Sequence, residues 1–163
     1  MADARGPCDA HGLADVKGQV ARRGVGRRQF ACVQRHPAVL NVAAYVGHSS
    51  IRTWVMGEAA TERAATADET NAMAQLVREA MQAGAIGLAS STSPAHNGEG
   101  GKPMPSRLAD DAEHLALVRA MGEQGRGVYM VTKGGQMPVS LLEQMSAESG
   151  RPVMIAALLH NNT

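Results

Sequence analysis

GAIGLASSTSPAHNGEGGKPMPS, from Gly84 to Ser106, is the stretch that decides the fold. Its first half is an apolar run, and its second half holds hydroxyl side chains, a histidine and a loop rich in glycine and proline. Three other segments repeat this design, each an apolar run that ends in polar residues: Asn41 to His48, Gly127 to Gly135 and Pro152 to Asn161. Ligands in α/β folds bind at the edge where parallel strands end, so the pattern predicts four strands whose ends meet at one site.

Three helix-length segments separate these predicted strands. The first begins at Thr66-Ala-Asp-Glu69, a capping box in which the Thr hydroxyl and the Glu carboxylate bond amides of the first turn. The others run from about Ala109 to Gln124 and from Val139 to Ser149, while Ser50 to Met56 fits either a short helix or an extended connector. Crossovers of this length require parallel strands. The sequence therefore predicts an α/β fold with about four parallel strands and three intervening helices.

Periodicity alone does not separate an open doubly wound sheet from part of a (β/α) barrel. The two glycine-rich phosphate-binding fingerprints, G-x-G-x-x-G and G-x-x-x-x-G-K-[ST], follow none of the predicted strands. That absence favours the barrel.

Composition limits the classes of function. The chain has 163 residues, enough for one domain, and its net charge of +1 with 2% aromatic residues gives little reason to expect nucleic acid or an anionic membrane as partner. The two cysteines, Cys8 and Cys32, lack zinc-clip spacing and indicate thiols in a reducing compartment, which predicts a cytoplasmic location. Residues 1–34 are predicted to be an irregular or disordered Arg-rich leader, and residues 35–163 the barrel domain.

The segment from Gly84 to Tyr129 resembles the N-acyl-D-amino-acid deacylases (D-aminoacylases) of the amidohydrolase superfamily. In that family a strand similar to GAxGxSTS leads into a loop with a His, then Pro, then a helix that opens in Ala-Asp, and NVAAYVGHSSIRTWVMG is also similar to the family. The resemblance covers about Arg35 to Thr163. It implies a zinc-dependent hydrolase on a TIM barrel that cleaves the amide of an N-acylated D-amino acid.

The chain departs from the family pattern in its metal ligands. The superfamily's first-strand His-x-His pair is absent, and Thr132-Lys133 stands where family members place a metal-binding His. Lys133 is either a carboxylated metal-bridging lysine or an ammonium that holds a substrate carboxylate, and His160 is the other candidate metal ligand because it follows a strand. We therefore expect a partial amidohydrolase barrel that is inactive alone.

Candidate substrate-binding residues follow the strand ends: His48, Arg52, Ser91, Ser93, His96 and Lys133. Arg52 has the fork geometry for a substrate carboxylate, whereas His48 is equally compatible with a structural role. The hydroxyl residues Ser90 to Ser93 do not form a G-x-S-x-G nucleophile elbow, and no base stands at a recognisable distance from them in the sequence. No catalytic residue is therefore assigned. Gly134-Gly135 supplies amides for an oxyanion or merely a tight turn, and His114 is expected on a helix surface.

The expected partner is a small N-acyl amino acid rather than nucleic acid or membrane. The alternative to an amidohydrolase is a non-catalytic α/β module that binds a small anion where the strands end. Unpaired strand edges in a partial barrel also predict association with another copy of the chain.

Overall fold

A four-stranded parallel sheet forms the centre of the protein, for which the computed structural model describes residues 43–156. The strands are β1 (Val46–Gly47), β2 (Gly87–Ser91), β3 (Val128–Thr132) and β4 (Val153–Ile155), in the spatial order β1-β2-β3-β4. Every neighbouring pair is parallel. The predicted α/β fold and parallel topology are confirmed.

Helices fill the connections between the strands. They are α1 (His48–Met56), α2 (Ala67–Gln82), α3 (Asp111–Gly122) and α4 (Val139–Ser149). Short 3-10 turns lie at Gly57–Thr61, Glu99–Gly101 and Pro105–Leu108. Among residues 43–156, no helix combines the length and apolar character that crossing a membrane requires.

The predicted capping box starts α2. The Glu69 amide donates to Thr66 Oγ1 at 3.3 Å, and the Thr66 amide donates to the Glu69 carboxylate at 2.8 Å. Arg63 also holds that carboxylate with two hydrogen bonds of 2.8 Å. These interactions lower the pKa of Glu69 to about 2, Arg63 making the largest contribution. The helix thus begins where its local sequence places it.

The core lies between the sheet and the helices. Leu88, Tyr129 and Val131 point from the strands into a cluster with side chains of α2, α3 and α4, which include Met73, Val77, Met81, Leu117, Met121, Leu142 and Met145. Alternate strand residues must point to the opposite face of the sheet. That far face carries Ala89, Ser91, Met130, Thr132 and Met154. The described helices therefore cover one side of the sheet only.

Several element boundaries differ from the predicted ones. The described part of β1 has two residues. Residues 39–42, all but Asn41 apolar, lie outside the described range, as do the predicted leader 1–34 with Cys8 and Cys32, and His160. Residues 50–56 form a helix, which resolves the predicted alternative. α3 begins later than Ala109 because Asp110 is its cap, its carboxylate accepting from the Glu113 amide at 2.8 Å.

Candidate functional site

A buried polar cluster joins α1, β2 and α3 near the ends of the strands. We call His48, Arg52, Ser90 and Glu113 the His48 cluster. His48 is the first residue of α1 and Arg52 lies one turn later on the same side, so both side chains reach Glu113 in the first turn of α3. His48, Arg52 and Glu113 are each at most 1% exposed.

His48 uses both ring nitrogens. Its Nε2 lies 2.7 Å from Glu113 Oε1 and its Nδ1 lies 2.8 Å from Ser90 Oγ. Burial lowers the pKa of His48 below its usual value, which outweighs the opposing effect of Glu113. In the neutral ring, Nε2 donates to the carboxylate and Nδ1 accepts from the Ser90 hydroxyl.

Glu113 also accepts a hydrogen bond from Arg52 Nη1, and Arg52 Nη2 donates to the carbonyl of Arg63 at 2.9 Å. Burial alone would raise the pKa of Glu113, but the hydrogen bonds and charges of His48 and Arg52 together lower it. The cluster therefore holds a buried carboxylate in its charged form between two donors. It fixes the start of α1 against the start of α3.

A second buried histidine extends this polar region. His114 Nδ1 lies 3.0 Å from the Tyr129 hydroxyl, and its ring packs edge-on at 5.1 Å from that of His48. His114 is 2% exposed, so its predicted surface position is wrong. Burial, reinforced by the nearby His48, lowers the pKa of His114 to about 3. Glu113 and His114 both lie on the buried side of α3, where they contact His48 and Tyr129.

Ser90, His48 and Glu113 have the hydrogen-bond order of a nucleophile, base and acid. A base that the sequence did not indicate, His48, thus lies next to Ser90. However, Ser90 alternates with Ser91 along β2 and shares the helix-facing side with the core residue Leu88. The chain of hydrogen bonds is consequently part of the packing between sheet and helices.

The ends of β2 and β3 form a separate polar rim. The Thr92 amide donates to the Thr132 carbonyl at 3.0 Å, and the Gly134 amide donates to Thr92 Oγ1 at 2.8 Å. Gln136 Nε2 adds a hydrogen bond of 2.6 Å to the Thr92 carbonyl. The loop after β3 is therefore bound to the end of β2 on both sides of Lys133.

Gly134 is required by this close approach. A Cβ at Gly134 would lie 2.1 Å from the Thr92 carbonyl oxygen, whereas a Cβ at Gly135 would meet nothing within 4 Å. Because the Gly134 amide already donates to Thr92, it is not available to an oxyanion. This outcome favours the tight-turn alternative for Gly134.

The predicted substrate-binding residues fall into distinct environments. His48 and Arg52 meet in the His48 cluster, together with Ser90 and Glu113, neither of which was among the predicted site residues. Ser91 and Ser93 are buried at the end of β2, and Ser91 Oγ has no hydrogen-bond partner among residues 43–156. His96 is exposed in the following loop, with its amide donating to the Ser93 carbonyl at 3.0 Å.

Zinc does not fit the described residues. Between residues 43 and 156 no group of three or more His, Cys, Asp or Glu side chains is arranged to hold a metal ion. The far face of β2 to β4 offers alanine, serine, threonine and methionine, none of which is a usual zinc ligand. His48, the histidine where β1 ends, is fully occupied by Ser90 and Glu113. The far face of these strands is thus unsuited to zinc.

Two enzymes from Alcaligenes xylosoxydans xylosoxydans are similar in sequence. A D-aminoacylase is 34% identical over 125 residues, which cover 74% of this chain and 23% of the enzyme. An N-acyl-D-aspartate deacylase is 38% identical over 103 residues, covering 53% of this chain and 20% of that enzyme. No protein-family model matches the chain. The chain therefore spans about a quarter or less of the length of these relatives.

Solved structures agree in fold. A D-aminoacylase studied for its binuclear metal centre superposes with a TM-score of 0.61 at 30% identity, covering 78% of this chain and 25% of that one. The N-acyl-D-glutamate deacylase of Bordetella bronchiseptica, solved with zinc and a phosphonate inhibitor, gives a TM-score of 0.62 at 24% identity and supports the fold alone. The chain covers 26% of that structure. By sequence and by fold, the chain is similar to about a quarter of a D-aminoacylase.

Proposed function

We propose that the complete protein hydrolyses the amide bond of N-acyl-D-amino acids. The observation that carries this proposal is the joint agreement of sequence and fold with D-aminoacylases over about three quarters of the chain. In this reaction water adds to the amide carbonyl, the C–N bond breaks, and a carboxylate and a free amino acid leave. The described segment supplies a wall of the substrate site where β2 and β3 end.

The described residues contribute binding and scaffolding to that reaction. The His48 cluster fixes the helices behind the sheet, and the loop bound to Thr92 presents Lys133. A metal would lower the pKa of a bound water and polarise the amide carbonyl. We propose that its ligands come from outside residues 43–156, with His160 as one candidate. No step of the chemistry is assigned to the described side chains.

The test is release of free amino acid by the complete protein from N-acetyl-D-amino acids, with the L-enantiomers as matched controls. The assay is run with added zinc and again after chelation. We expect turnover of D-substrates that chelation abolishes. Absence of turnover with every N-acyl-D-amino acid, in protein that retains metal, would refute the proposal.

A non-catalytic module that binds a small anion is the second candidate. Its support is the combination of a rim ammonium at Lys133 and the lack of a metal-binding cluster in the described range. Saturable binding of an N-acyl amino acid without turnover, in the presence of zinc, would favour this candidate. We also propose a cytoplasmic location. We further propose self-association through the edges of the sheet, which gel filtration would test.

A further inference from the structure

We propose that Lys133 binds the carboxylate of the N-acyl amino acid, and that the end of β3 is a substrate-binding position rather than a metal-binding position. The inference takes its ligand class from the proposed function. It concerns recognition of that ligand and does not require that the ligand be hydrolysed. It therefore applies to both the hydrolase and the anion-binding module.

Lys133 differs from the other cations of the described chain. Each of the seven arginines in residues 43–156 donates to a carboxylate, an amide oxygen or a backbone carbonyl. Lys102 is exposed to solvent. Lys133 is half-buried, and within the described range its Nζ makes only a 3.4 Å contact with the carbonyl of the adjacent Gly134. Because no carboxylate of the described residues pairs with it, the Lys133 ammonium is available to an anionic ligand.

The position of Lys133 suits that ligand. It follows β3, a strand with a neighbour on each side, at the carboxyl edge where α/β proteins bind ligands. The residues before and after it are both hydrogen-bonded to Thr92, so its backbone is fixed. A fixed backbone reduces the entropy that is lost when the side chain engages a ligand.

Within residues 43–156, the strand ends do not supply the other ligands that a carboxylated, metal-bridging Lys133 would need. Such a lysine needs histidine and carboxylate ligands around the same metal ion, and the described strand ends provide none in that arrangement. Ser91 and Thr132, the last residues of β2 and β3, carry hydroxyls, which are not usual zinc ligands.

The experiment compares two ligands, one with a charged carboxylate and one with a neutral carboxamide in its place. Binding of N-acetyl-D-alanine and of N-acetyl-D-alanine amide to the complete protein is measured by calorimetry with a chelator present. Lys133→Met removes the ammonium, Lys133→Arg keeps a cation that does not form a carbamate under these conditions, and Lys102→Met is the exposed control. Circular dichroism checks that each variant is folded.

We expect Lys133→Met to weaken binding of the carboxylate ligand by about 10- to 100-fold, the range for a hydrogen bond between charged groups. The amide ligand should bind equally to both proteins, and Lys133→Arg and Lys102→Met should retain affinity for the acid. Unchanged affinity of Lys133→Met, an equal loss for both ligands, or no binding of the acid to the wild type would overturn the inference. Binding that depends on Lys133 without hydrolysis would refute only the proposed reaction.

Discussion

Replacing Glu113 by alanine tests the His48 cluster, because it leaves the Arg52 guanidinium buried without its carboxylate. Arg52 is fully buried, and its remaining hydrogen bond is to the Arg63 carbonyl. Removing one partner of a buried ion pair typically costs about 3–5 kcal/mol of unfolding free energy. His48 Nε2 loses its acceptor in the same variant, so we expect the upper part of that range. This is a large share of the stability of a typical domain, about 5–15 kcal/mol.

Urea unfolding measures this cost directly. Trp54 lies in α1, two residues from Arg52, and is the chain's single tryptophan, so its fluorescence reports on the helix that the cluster holds. Circular dichroism reports on all the helices at once. The matched control is Glu123→Ala, which breaks an exposed ion pair with Arg78 and should cost at most about 1 kcal/mol.

A double variant separates the stability cost of an unpaired buried charge from the cost of lost packing. Arg52→Met combined with Glu113→Gln removes both charges while keeping an oxygen that accepts from His48. We expect it to be clearly more stable than the sum of the two single changes predicts, since two neutral groups need no partner charge. A Glu113→Ala cost equal to that of Glu123→Ala, or strict additivity in the double variant, would contradict the reasoning.

Three further predictions concern acid sensitivity, the rim loop and the start of α2. Because the pKa of His114 is about 3 in the folded protein and near 6.5 when unfolded, the unfolded chain binds the extra proton between these values. His114 alone should thus lower stability by about 1.4 kcal/mol per pH unit on acidification below pH 6.5, and His48, whose pKa is also lowered by burial, adds to the slope. Urea midpoints at pH 7, 6 and 5 measure the slope, which His114→Gln should reduce and His96→Gln should not. Gly134→Ala should cost about 1–3 kcal/mol because its Cβ would overlap the Thr92 carbonyl, whereas Gly135→Ala should be close to neutral; equal melting temperatures for the two variants would refute the assigned contact. Thr66→Ala should lower stability by about 1 kcal/mol while Thr66→Ser should not, as chemical denaturation can show.

Local signals predicted the elements of this fold well. The Thr66-Glu69 capping box fixed the start of α2, and α4 spans the predicted residues 139–149. Both depend on contacts within one helical turn, which a sequence displays directly. The parallel order of the strands followed from the length of the connections.

The buried polar contacts could not be predicted in the same way. His48 and Glu113 are 65 residues apart, and Ser90 lies 42 residues from His48. Their meeting depends on how α1 and α3 pack against β2, which no spacing encodes. A partial signal existed in the polar pair His48 and Arg52, which share one side of a short helix that also buries Ile51 and Met56. On a buried face, an arginine requires a partner of opposite charge and a histidine requires hydrogen-bond partners.

The arrangement of the strand ends could not be predicted from the sequence either and became visible in the structure. The sequence shows Thr132-Lys133 where the family places a histidine, but the structure shows that Thr92 holds the loop on both sides of Lys133. Hydrogen bonds between residues 42 and 44 positions apart determine that geometry. They are the reason that Lys133 has a fixed place at the rim.

The most direct test of the proposed function is the enantioselectivity of hydrolysis by the complete protein with zinc, that is, which enantiomer of the substrate it cleaves. Racemic N-acetyl amino acid is supplied, and the released amino acid and the remaining substrate are resolved by chiral chromatography at partial conversion. We expect that only the D-amino acid is released and that the L-substrate remains intact. Release of the L-amino acid at an equal or greater rate would contradict it.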